Sequence, residues 1–73
     1  MKEELSIKIG KEFIELYKLL KWSKVIETGS LAKIAVENGD VLLNGKVEIE
    51  KHQKVFPNDV VEYKEFKLNV ISQ

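Results

Sequence analysis

The stretch from Phe13 to Glu48, FIELYKLLKWSKVIETGSLAKIAVENGDVLLNGKVE, decides the fold. Phe13, Leu16, Tyr17 and Leu20 fall at i, i+3, i+4 and i+7, one apolar stripe of an amphipathic helix. Lys11, Glu15 and Lys18 lie on a different side. The spacing predicts a first helix from about Lys11 to about Lys21, with Tyr17 in the core. Thr28-Gly29-Ser30 breaks the pattern, and a threonine or serine oxygen there can accept from the free amides of a new helix. That second helix is expected over Leu31 to Asn38, with Leu31, Ala32, Ala35 and Val36 packing inward. Its alanines let another helix approach closely. Asn38-Gly39 is the stop, because glycine tolerates a left-handed backbone. Val41-Leu42-Leu43 then reads as a strand. Asn44-Gly45 is the residue pair of a type I′ hairpin, and Lys46-Val47-Glu48-Ile49 is the return strand.

Outward from this segment the period becomes two. Leu5, Ile7 and Ile9 alternate with Ser6 and Lys8 until Gly10 ends the strand. Downstream, Pro57-Asn58-Asp59 is a turn feeding Val60-Val61-Glu62-Tyr63. Phe66, Leu68 and Val70 alternate with Lys67 and Asn69, giving a last strand and a candidate partner for the first. Strand, two helices, then several strands make an α+β domain. It is expected to span residues 1–73 as one unit with a core motif over about 13–63.

Composition narrows the function. The chain has 73 residues and no cysteine, which excludes a disulfide scaffold and any thiolate metal site. His52 is the sole histidine and builds no histidine cluster. No apolar run approaches a membrane span and no signal peptide is visible, so the expected location is cytoplasmic. Formal net charge is zero, which counts against a strong sequence-blind nucleic-acid binder. All cations are lysine, so guanidinium forks are absent, although lysine still neutralises phosphate as a point charge. The charges segregate: Lys18, Lys21, Lys24 and Lys33 outweigh Glu27, whereas Glu37, Asp40, Glu48 and Glu50 outweigh Lys46. A solvated mixed surface is the plainer reading of the same pattern.

Phosphate loops, metal-ligand clusters and nucleophile elbows are not found, so no catalysis and no cofactor are expected. His52 sits in a polar stretch and is read as exposed, with RNA contact or proton transfer as the alternatives. Glu48 and Glu50 follow strand alternation and are read as solvent-facing or edge-protecting residues rather than an acid/base pair.

Taken in order, Leu16 to Lys21, Thr28-Gly29-Ser30, Ala32-Lys33, Gly39 to Gly45 and Asp59 to Val61 resemble the S4 RNA-binding domain family. More narrowly they resemble the short free-standing bacterial S4-like proteins of the YaaA and YbcJ type. The resemblance covers about two thirds of the chain. It implies an S4-like (αL) motif: two main helices on a small, mainly antiparallel sheet with extra terminal strands. It also implies that the helices and the hairpin form one surface for structured RNA. Amides near Gly29 and Ser30 would hold a phosphate, beside Thr28. Lys21 and Lys33, at family-matched positions, would neutralise its neighbours; Lys18, Lys24, Lys51 and Lys54 are further candidates. The arginine-rich stretch of the relatives is here Glu50-Lys51-His52-Gln53-Lys54. Trp22 stands where an aliphatic residue is common, and is read as core or a half-buried lid, with base stacking as the alternative.

The resulting expectation is a monomeric module that binds ribosomal RNA, transfer RNA or a ribosome assembly intermediate, without a membrane. The alternative is a protein-interaction adaptor on the same fold, which zero net charge and the missing arginines favour. A ubiquitin-like sulfur carrier ranks last, because the chain ends Asn69-Val70-Ile71-Ser72-Gln73 and not in Gly-Gly.

Overall fold

A computed structural model describes residues 3–72. The first strand, β1, runs Glu3–Ile9, and a two-residue strand, β2, follows at Ile14–Glu15. Helices α1 (Leu16–Trp22) and α2 (Gly29–Glu37) come next. The remainder is extended: β3 (Val41–Leu43), β4 (Lys46–Val47), β5 (Lys54–Val55), β6 (Val60–Tyr63) and β7 (Phe66–Ser72). Five strands form one sheet in the order β1-β7-β6-β3-β4, while β2 and β5 pair separately. The first and last strands do pair, in parallel, with Leu5 opposite Leu68 and Ile7 opposite Val70. The other pairings are antiparallel. This is the expected α+β fold, two helices on a small and mainly antiparallel sheet.

The core joins both layers. Leu16, Leu19 and Leu20 of α1 and Ala32, Ala35 and Val36 of α2 are buried against Val41, Val61, Leu68 and Val70 of the sheet. Small alanines on the inner face of α2 keep the helices close, and no described side-chain polar atom is buried without a partner. Among the described residues no helix is long and apolar enough to cross a membrane.

Three boundaries differ from the sequence reading. Helix one begins at Leu16, five residues after Lys11, because Ile14 and Glu15 are drawn into antiparallel pairing with Val55 and Lys54. The first amides of α1 then donate to the loop that follows β4: Leu16 N to Gln53 O at 2.9 Å and Tyr17 N to Lys51 O at 3.1 Å. Phe13 therefore leaves the helical stripe and packs against Phe56 at 5.9 Å. Helix two begins at Gly29 rather than Leu31, capped by Thr28, and this register leaves Leu31 exposed. The return strand ends at Val47, not Ile49. Beyond it the Glu48 carboxylate accepts from Glu50 N at 3.1 Å and the Glu50 carboxylate from His52 N at 3.0 Å. Such local side-chain bonds offer the backbone an alternative to the ladder. The hairpin itself is as expected, with positive φ at Asn44 (52°) and Gly45 (86°).

Candidate nucleic-acid interface

Burial of Leu16, Leu19 and Leu20 turns Lys18, Lys21 and Trp22 of α1 outward. The chain leaves α1 through Ser23, and Lys24 then takes a left-handed backbone, φ 66°. These residues line a groove of about 540 Å³, closed by Lys11, Ile14, Tyr17 and Gly29. Four lysines thus surround an apolar and aromatic floor. A smaller hollow of about 190 Å³ shares Lys11, Ile14 and Lys18 but also takes in Glu12 and Glu15, so its charge is mixed.

The candidates from the sequence separate into two sets. Lys18, Lys21, Lys24 and Gly29 share the large groove. Lys33 does not line the groove but approaches its Tyr17 wall from α2, its ammonium 4.8 Å from the centroid of the Tyr17 ring. Thr28 is occupied as a cap, its hydroxyl accepting from Leu31 N at 3.1 Å, and Ser30 lies exposed in the first turn of α2. Lys51 and Lys54 do not line the groove. Lys51 pairs with Glu37 at 2.9 Å, and Lys54 lies 4.7 Å from the Phe13 ring centroid. Among the described residues, Lys11, Lys21, Lys24 and Lys33 have no carboxylate partner, whereas Lys18 has Glu15 at 3.4 Å.

Three groove residues lie differently from their leading sequence reading. Tyr17, expected in the core, is only half buried and meets Lys18, Lys33 and the edge of His52. Trp22, expected as core or lid, is 61% exposed. Lys11 was placed on another side of a helix that does not extend so far. The local density of lysine around Trp22 is the signal that keeps base stacking as its alternative in the sequence.

His52 is exposed, as expected, yet it has a partner: its Nδ1 lies 2.5 Å from a Glu15 carboxylate oxygen. That hydrogen bond holds the Glu15 carboxyl below its ordinary range against the opposing effect of desolvation, and Lys18 reinforces it. Glu15 and His52 thereby tie the start of α1 to the 50–53 loop beneath Tyr17.

A helix pair packed on a small sheet, opening onto a lysine-lined groove, defines a small α+β protein of the αL type. The chain belongs to the S4 domain family, whose model matches residues 7–71. It is 32% identical to YbcJ from E. coli, with a TM-score of 0.73 over 97% of this chain and 91% of that one. The solution structure of YbcJ is described as revealing an αL motif involved in RNA-binding. A Bacillus subtilis (strain 168) protein named "Probable ribosome maturation protein RlbA" is 35% identical over 60 residues, 82% of this chain and 84% of its own length.

Proposed function

We propose that the protein binds structured RNA through the lysine-lined groove along α1, acting by binding alone and as a monomer. Ribosomal RNA, transfer RNA or a ribosome assembly intermediate is the ligand class. The observation that carries this reading is the convergence of Lys11, Lys18, Lys21 and Lys24 around one groove, with Lys33 over the Tyr17 ring at its wall, in a chain of zero net charge. The segregation matters more than the total, because phosphate neutralisation is local at physiological salt. The names of the two relatives, one tied to RNA-binding and one to ribosome maturation, point the same way.

The test is a titration of the protein against ribosomal RNA, transfer RNA and a DNA duplex at several salt concentrations. Saturable, salt-sensitive binding that prefers structured RNA is expected. Replacing Lys21 and Lys33 with alanine should reduce the log–log salt slope by about one for each phosphate no longer neutralised. Replacing Lys51 and Lys54, which are engaged elsewhere, should change it less. Absence of binding at low salt would defeat the reading. It would favour a protein-interaction adaptor, for which Leu31 (52% exposed) and Ile34 (51%) on α2, flanked by Glu27 and Asp40, are the supporting observation.

A further inference from the structure

We propose that the groove holds one unpaired nucleotide, its base laid against the Trp22 indole and its flanking phosphates neutralised by Lys11, Lys21 and Lys24. The inference rests on the RNA-binding reading and specifies what part of the RNA enters the groove.

Trp22 is the chain's one tryptophan, and 61% of it is exposed at the end of α1. An indole exposed to this extent offers a broad π face that a planar partner can cover. The neighbouring groove side chains Lys11, Lys21 and Lys24 are cationic and have no carboxylate partner among the described residues. An apolar partner would leave these ammonium groups facing a surface that cannot satisfy them. A planar, aromatic and polyanionic partner satisfies both features.

The other aromatic rings near the helices are already engaged. The Tyr17 ring centroid has the Lys33 ammonium at 4.8 Å, the Lys18 ammonium at 5.9 Å and the His52 ring centroid at 5.3 Å in a T-shaped arrangement. Phe13 has Phe56 at 5.9 Å and Lys54 at 4.7 Å. Among the described residues, none of these ring contacts involves Trp22. With arginine absent, no guanidinium plane competes as a stacking surface. A base inside a duplex has both faces covered by its neighbours, so only a base in a loop, bulge or single strand can offer one to the indole. The groove volume of about 540 Å³ falls within the range typical of small-ligand sites.

Because Trp22 is the chain's one tryptophan, its fluorescence reports on the site directly. The probes are an oligouridylate, a blunt RNA duplex of equal length, and a hairpin with an unpaired loop. Saturable quenching by the single strand and the hairpin, with little by the duplex, is expected. Trp22→Leu should weaken single-strand binding roughly 5- to 100-fold while leaving the salt slope unchanged. Trp22→Phe should restore part of the loss. Exposure of the side chain makes the fold insensitive to these changes, and the quenching measurement uses the unmodified protein. Single-strand binding without quenching, equal quenching by duplex and single strand, or unchanged affinity in Trp22→Leu would each overturn the proposal and leave the RNA reading standing. Failure of all three probes and of ribosomal RNA to bind at low salt would remove both.

Discussion

The Lys33 ammonium lies 4.8 Å from the centroid of the Tyr17 ring, so a cation from α2 sits on an aromatic side chain of α1. Both residues are half buried. The contact braces α2 against α1 beside the groove and fixes the position of the Lys33 ammonium. In a cycle of Tyr17→Leu, Lys33→Met and the double variant, urea unfolding should show a coupling of about 0.5–1 kcal/mol. Additivity to within about 0.3 kcal/mol would show that the ring and the ammonium do not support one another.

Thr28 sits at an extended backbone position, φ −127° and ψ 156°, and its hydroxyl accepts from Leu31 N. It is the side-chain cap of α2, since no acidic residue occupies the first turn. Thr28→Ala should cost about 1 kcal/mol in thermal or urea unfolding, whereas Thr28→Ser should cost much less. Equal losses would mean that the methyl group, not the hydroxyl, is what matters there.

Much of the fold is legible in the sequence alone. The Asn44-Gly45 hairpin, the Thr28 cap and the Asn38-Gly39 stop depend on local chemistry, which a few neighbouring residues specify. The start of α1 depends instead on a partner some forty residues away. Phe13 fits the helical stripe by spacing, but its neighbour Ile14 is claimed by Val55, which no local pattern announces. Tyr17 and Trp22 depart from expectation for a related reason: apolar character says that a ring prefers burial, not what covers it. The lysines divide in space although not in sequence pattern, because Glu37 and Phe13 engage Lys51 and Lys54 through tertiary contacts.

Asn44 links the hairpin to the Asn58-Asp59 turn. Its side-chain oxygen accepts from Val60 N at 2.9 Å, and its amide donates to Asp59 at 3.1 Å. Asp59 in turn accepts from Phe56 N at 2.8 Å. Asn44→Asp keeps the left-handed preference and the acceptor but turns a carboxylate toward Asp59. It should destabilise by about 1 kcal/mol at neutral pH and recover part of that as one carboxyl protonates. Asn44→Gly keeps the backbone freedom and loses both bonds, so its deficit should be nearly independent of pH. Parallel pH profiles for the two variants would rule out repulsion.

The Glu15–His52 contact gives the fold an acid sensitivity. The folded carboxyl is held below its ordinary value by the His52 hydrogen bond, opposed by desolvation and aided by Lys18. A depressed carboxyl pKa contributes stability that is complete above the unfolded value and is lost as pH falls through the folded one. Unfolding midpoints should therefore fall more steeply with acidification in the native protein than in Glu15→Gln, from the ordinary glutamate range downward. His52→Gln should flatten the profile in the same way if histidine is the principal cause. Curves of equal slope for all three proteins would remove this pair from the acid response.

Lys24 occupies the position after the α1 C-cap, with φ 66°, where helices commonly place glycine. A lysine held there costs stability, and its side chain reaches the groove. Lys24→Gly should raise stability by up to about 1 kcal/mol, with loss of a cation near the helix C-terminus offsetting part of the relief. If Lys24 serves the groove, the same variant should bind RNA more weakly and lower the salt slope by about one. A stabilised variant with undiminished RNA affinity would mark Lys24 as a tolerated strain with no part in binding. Loss of both stability and affinity would instead show that the lysine side chain supports the loop between the helices.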